Sequence, residues 1–86
     1  MSDIHFTLYT RSYCHLCEDM LQALQQLHGM QPYLIKQVDV DADPALIKLY
    51  DELVPVLIGR KGDQLPVQLC NYFLDVGKVQ AFLQGE

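Results

Sequence analysis

The chain predicts an α/β domain in the order β-α-β-α-β-β-α, with a mixed four-stranded sheet and helices on both faces. Three observations carry that expectation. Short runs of branched, aromatic and leucine residues alternate with stretches of helical periodicity. Asp43-Pro44 is a sharp helix start, a capping carboxylate followed by a proline that has no N–H to leave unpaired. Finally, Gly59-Arg60-Lys61-Gly62-Asp63 reads as a hairpin turn, which adds an antiparallel strand to a sheet otherwise built through helices.

The first strand is expected over Ile4 to Tyr9, where Ile4, Phe6 and Leu8 alternate with His5, Thr7 and Tyr9. After a turn at residues 10–13, a helix is expected from about Cys14 to His28. Cys17, Met20, Leu21, Leu24, Leu27 and His28 recur at helical spacing there. Glu18 and Asp19 suit the positive end of its dipole, and Gly29 is its expected C-cap. Tyr33 to Val40 reads as the second strand. Ala45, Leu46, Leu49 and Tyr50 give the second helix its apolar side. Leu53 to Ile58 is apolar enough to be a strand buried on both faces, and Leu65 to Cys70 is the fourth strand. The last helix starts near Asp75 and carries Val76, Val79, Phe82 and Leu83, with Gly77 weakening it.

At 86 residues this is one domain, and with 50% hydrophobic residues it can form a core without covalent staples. Three cysteines are too few for a disulfide scaffold, and the odd count suits a reducing compartment. The N-terminus has no basic segment followed by an apolar stretch, and no run approaches the roughly 18 apolar residues that span a bilayer. A cytoplasmic protein is expected. A net charge of −5 disfavours nucleic acid and anionic membrane as partners. The acids cluster at Asp39, Asp41, Asp43, Asp51 and Glu52, read as a solvated helix and its approach, with a docking surface for a basic partner as the sharper alternative.

The chemistry concentrates in Cys14-His15-Leu16-Cys17. Two cysteines three apart at the first turn of a helix share a face and can close a disulfide. The outer one sits where unpaired helix N–H groups favour a thiolate, the form that attacks disulfides. Inert packing explains Cys17, which lies on the apolar stripe, but not Cys14 in a turn. A metal or iron–sulfur carrier is the non-enzymatic alternative. One C-x-x-C supplies only two thiolates where structural zinc takes four ligands, so that reading asks for a dimer.

Leu8-Tyr9-Thr10-Arg11-Ser12-Tyr13-Cys14-His15-Leu16-Cys17, then Val38-Asp39-Val40-Asp41 with Asp43-Pro44, then Leu53-Val54-Pro55-Val56-Leu57, resemble the glutaredoxin pattern over essentially the whole chain. The resemblance implies a thioredoxin-like, glutaredoxin-like fold and thiol–disulfide oxidoreductase activity by dithiol exchange. In it, Cys14 is the nucleophile and Cys17 the resolving thiol. It implies a cis Val54–Pro55 bond beside the cysteines, with the Val54 N–H and C=O free to pair with an extended substrate. Arg11 takes the place of a glutaredoxin lysine that favours the thiolate and holds a substrate carboxylate. Tyr13 is a candidate wall of the site.

The chain also departs from the pattern. His15 and Leu16 replace the usual proline and aromatic between the cysteines, and Cys70-Asn71-Tyr72-Phe73-Leu74-Asp75 replaces the Gly-Gly turn that docks glutathione. Glutathione is therefore a candidate co-substrate only, with no tightly bound cofactor expected. The expected partner of this monomer is a disulfide-containing protein or small thiol. His15 is a candidate tuning residue, and Glu18 opposes the thiolate. Cys70 is read first as a buried strand cysteine and second as a neighbour of the redox pair. Asn71 and Asp75 could serve part of a glutathione site, Asp75 being better explained as a helix cap. His5 and His28 are read as surface residues. A thioredoxin-fold binding module with idle cysteines is the remaining alternative.

Overall fold

Alternation of buried and half-exposed side chains along Ile4–Thr10 makes β1 a strand with one face in the core: Ile4, Phe6 and Leu8 are buried while His5, Thr7 and Tyr9 are not. The computed structural model describes residues 4–27 and 33–84. After β1 come α1 (His15–Gln26), β2 (Tyr33–Asp39), a short 3-10 helix (Val40–Ala42), α2 (Pro44–Tyr50), β3 (Val56–Lys61), β4 (Val67–Asn71) and α3 (Val76–Gln84). The strand order is β2-β1-β3-β4, with β1 parallel to β2 and antiparallel to β3, and β3 antiparallel to β4. The predicted element order and mixed sheet are both present.

The core lies on one side of the sheet. Ile4, Phe6 and Leu8 from β1, Leu57 from β3 and Leu69 from β4 meet Met20 and Leu24 of α1 and Val79 and Leu83 of α3. Phe6 anchors this cluster, edge-on to Tyr33 with centroids 5.1 Å apart and tilted against Phe82 at 5.8 Å. The Tyr33 hydroxyl lies 2.6 Å from the carbonyls of Leu24 and Leu27, the former also accepting the Leu27 N–H, and so ties β2 to the end of α1. The other side of the sheet is reached by α2, where Tyr50 stacks on Tyr9 at 4.6 Å. None of the seven residues of α2 is fully buried, so this short helix covers only one end of that face.

Helix starts follow the sequence. The Asp43 carboxylate accepts from the Ala45 N–H at 2.9 Å ahead of Pro44, and Asp75 accepts from the Lys78 N–H at 3.0 Å. The expected end of α1 at His28 and Gly29 lies outside the described residues, and the described helix closes at Gln26 with Leu27 as its cap.

Strand boundaries differ from expectation: β2 gives way to the 3-10 helix at Val40, β4 opens at Val67 rather than Leu65 and closes at Asn71, and β3 is displaced at both ends. Leu53 and Val54 are not strand: the N–H groups of both donate to the Tyr50 carbonyl, which continues the closure of α2 and delays β3 to Val56. At its other end β3 runs on through Gly59, Arg60 and Lys61, and the turn moves to Gly62 with φ 53°. Gly59 is therefore a strand glycine. A Cβ there would stand 2.8 Å from the Phe82 ring, so its lack of a side chain lets α3 close onto the sheet. Between Leu57 and Ile58 the register with β4 shifts, a bulge that sets both Leu69 and Cys70 against the core.

Candidate functional site: the Cys14–Cys17 pair

Cys14 is the N-cap of α1, in extended conformation with φ −108° and ψ 104°. Cys17 follows within the first turn and is buried at 3% exposure, while Cys14 stays half-exposed. Their Cα atoms are 5.2 Å apart and their sulfurs are joined as a disulfide. The Cys14 Sγ also accepts from the Cys17 backbone N–H at 3.1 Å. This is the position of a capping oxygen, so the helix start presents an amide and its positive dipole end to the outer sulfur.

The residue before the pair is Tyr13, with φ 59°, in the left-handed region that a bulky side chain seldom adopts. Its ring is fully exposed at 105%. A recess of about 220 Å³ opens at the cysteines, with Arg11, Tyr13, Cys14, Cys17, Glu18 and Gln37 among its walls. His15 and Leu16 are exposed on the first turn of α1. The structure thus gathers Arg11, Tyr13, Cys14 and Cys17 at one mouth.

Arg11 is there, but its guanidinium is taken. NH2 donates to Asp41 Oδ1 at 2.6 Å and NH1 to Asp51 Oδ1 at 2.7 Å, with NH1 also 3.1 Å from the Asp51 carbonyl. The hydrogen bonds to Asp41 and then Asp51 hold Arg11 charged, and the bond from Arg11 lowers the Asp41 carboxyl below its usual 3.8. Arg11 therefore ties the end of β1 to the 3-10 helix and to α2, and its positive charge is largely met before it reaches a thiolate. The acidic cluster is likewise accounted for in part by structure: Asp39 caps the 3-10 helix through the Asp41 N–H, Asp43 caps α2, and Asp41 and Asp51 hold Arg11.

The Val54–Pro55 bond is cis, and Pro55 is buried. The expectation that both backbone groups of Val54 are free is corrected, because its N–H is used by the Tyr50 carbonyl at 3.2 Å. Among the described residues no hydrogen bond takes its carbonyl. Tyr72 was not anticipated in this neighbourhood. Its N–H donates to the Pro55 carbonyl at 2.9 Å and its hydroxyl to the Glu52 carbonyl at 2.7 Å, so one residue braces the loop on both sides of Val54. It does so with φ 65°, a conformation that glycine adopts most easily, at the place where the glutaredoxin pattern has its glycine pair. That missing pair was the available signal.

Cys70 stands apart. It is half-buried in a separate depression with Asn71, Asp75 and Lys78. Burial pushes its thiol up, partly offset by a hydrogen bond from the Asp75 backbone N–H. Val54 and Pro55 also lie outside the walls of the cysteine recess. Among the described residues, no three His, Cys, Asp or Glu side chains come together as a metal site. No helix among the described residues is long and apolar enough to cross a membrane.

The family described as Glutaredoxin-like domain (DUF836) matches residues 5–84. The solution structure of protein Ne2328 from Nitrosomonas europaea is 30% identical and superposes with a TM-score of 0.76, over 98% of this chain and 95% of that one. The X-ray structure of protein XcR50 from X. campestris is 32% identical with a TM-score of 0.63, over 91% of this chain and 93% of that one. Oxidised mitochondrial thioredoxin 3 from Saccharomyces cerevisiae, 16% identical, matches with a TM-score of 0.61 over 98% of this chain and 79% of its own, a likeness of fold alone. No curated protein matches the sequence. With the match running almost end to end and the cysteine pair seated at the start of α1, the chain belongs to the glutaredoxin-like family and has a thioredoxin-like fold.

Proposed function

We propose that this protein is a thiol–disulfide oxidoreductase that works by dithiol exchange through Cys14 and Cys17. The observation that carries the reading is the Cys14 sulfur: half-exposed, at the helix cap, 3.1 Å from the Cys17 N–H, and already paired with the buried Cys17. In the reduced protein the Cys14 thiol loses its proton to solvent, and the helix start favours the resulting thiolate. That thiolate attacks one sulfur of a substrate disulfide. A Cys14–substrate disulfide forms, the substrate S–S bond breaks, and the leaving thiolate takes a proton from water. Cys17, deprotonated in turn, attacks the Cys14 sulfur and releases the second substrate thiol. Two electrons pass to the substrate and the Cys14–Cys17 disulfide remains, to be reduced by an external thiol such as glutathione or by a reductase.

The other site residues take roles within that cycle. The recess is smaller than the roughly 300–1,000 Å³ that encloses a small ligand. It suits a substrate that presents its disulfide from outside, against the exposed Tyr13. The Val54 carbonyl, on the loop before cis-Pro55, is the remaining backbone group of that residue for an extended substrate. Arg11 positions the turn before Cys14 through its carboxylates, with a substrate carboxylate competing for it only by displacing Asp41 or Asp51. His15 tunes the pair from the first turn of α1. Cys70 is a bystander thiol, because burial disfavours its reactive form. A reducing, cytoplasmic setting suits this chemistry.

Single-turnover exchange with cystine tests the assignment. Cys14→Ser is expected to drop exchange to the uncatalysed background, and Cys17→Ser to stop at a mixed disulfide on Cys14 visible by intact mass. Exchange that survives Cys14→Ser would overturn the mechanism.

A further inference from the structure

The second face of the sheet is left largely uncovered. On register it forms three rows across β2, β1 and β3: Leu34–His5–Arg60, then Lys36–Thr7–Ile58, then Val38–Tyr9–Val56. The last row is closed by Tyr50 of α2, stacked on Tyr9. The first two rows floor an open groove of about 710 Å³ that Tyr9, Tyr50 and Pro66 also line.

A solvent-facing sheet surface is ordinarily polar, yet this one carries Leu34 at 57% exposure beside Ile58, Tyr9 and Pro66. Its charged members are all of one sign. Among the described lining residues the charged ones are Lys36 and Arg60, with His5 beside them and no carboxylate, in a chain with 11 acidic residues against 6 Lys and Arg. Among the described residues, neither Lys36 nor Arg60 is held in an ion pair. The Arg60 guanidinium donates to the Gly62 carbonyl, which restrains it.

We propose that this groove binds a small amphipathic organic anion: an aromatic or aliphatic body against Leu34, Ile58, Tyr9 and Tyr50, with a carboxylate, sulfonate or similar head met by the cations Lys36 and Arg60, which stand on either side of β1. The volume falls in the range of small-ligand sites. The cations supply the attraction for the head, and with no carboxylate among the described lining residues the repulsion that the rest of this acidic protein would offer is reduced there. Its walls share no residue with the cysteine recess, so the site stands or falls separately from the redox reading.

The test is a titration of the oxidised protein with anilinonaphthalene sulfonate, and in parallel with uncharged N-phenylnaphthylamine, followed by fluorescence and by amide chemical shifts. The sulfonate is expected to move the amides of His5, Thr7, Lys36 and Arg60. Lys36→Gln with Arg60→Gln should weaken the sulfonate about tenfold and leave the neutral probe nearly unchanged. Leu34→Glu is a second variant at an exposed position, so the fold should survive it, and it should block the sulfonate. Shifts confined to Tyr13, Tyr72 and Phe73 would overturn the proposal. So would equal losses for both probes, or a face protected by self-association in sedimentation.

Discussion

Cys14 shows how little the redox assignment asks of any single residue beyond its position. The sulfur is at a helix cap and an amide points at it, which favours a thiolate without a nearby free cation. Arg11 would supply such a cation, but Asp41 and Asp51 have engaged it. Glu18 lies on the wall of the same recess, where a negative charge is expected to oppose the thiolate. Glu18→Gln is therefore expected to speed alkylation of reduced Cys14 at neutral pH by about two-fold, the size of one exposed charge acting across several ångströms of solvent. Unchanged or slower alkylation would show that Glu18 does not act on the sulfur. The cysteines were legible because their spacing is local. Arg11 was not, because its partners lie 30 and 40 residues further along the chain and no short-range pattern links them.

At the scale of elements, the signals that survived are those with a local mechanism. The Asp43-Pro44 start and the apolar stripe of α1 are examples, and both appear where they were read. Gly59 is the instructive failure. Gly-Arg-Lys-Gly-Asp has the composition of a turn, yet its first glycine is in β3 because the Phe82 ring needs the space a Cβ would fill. Gly59→Ala should cost about 1–3 kcal/mol of stability through overpacking against α3, measured by urea denaturation. A neutral effect would mean the Phe82 ring moves aside freely. Leu53 and Val54 were read as strand for their apolar character, but hydrogen bonds to the Tyr50 carbonyl hold them to the end of α2. Tyr72 was missed for a different reason: tyrosine does not itself advertise a backbone with φ 65°, and the only hint was the absent glycine pair of the glutaredoxin pattern.

For the whole molecule, the parallel β1–β2 pair, the antiparallel hairpin and helices on both faces followed from connection rules, while the full order β2-β1-β3-β4 and the sharing of one face by α1 and α3 came from the structure and put the cysteine pair at the end of a central strand. The pairing of distant charges had to come from the structure. Arg11 joins β1, the 3-10 helix and α2 at one point, so its ion pairs should be felt in the stability of the entire fold. The Asp41 carboxyl is lowered in the folded state by its bond from Arg11. Its contribution is then fully present above the ordinary value of 3.8 and is lost as pH falls through the lower, folded value. Thermal unfolding should show the native protein above Asp41→Asn at neutral pH and the two converging below that window, with the gap narrowed by salt because both partners are exposed. A gap independent of pH would assign the Asp41 effect to something other than its charge.

The central claim, a reversible Cys14–Cys17 redox couple, is tested most directly by equilibrating the reduced protein across glutathione redox buffers, quenching by alkylation and mapping each cysteine by mass. The account predicts one two-electron transition in which Cys14 and Cys17 protect each other from alkylation while Cys70 remains a slow free thiol. If instead Cys14 and Cys17 alkylate independently at every buffer potential and no intramolecular disulfide forms, the pair is not a redox centre and the account fails.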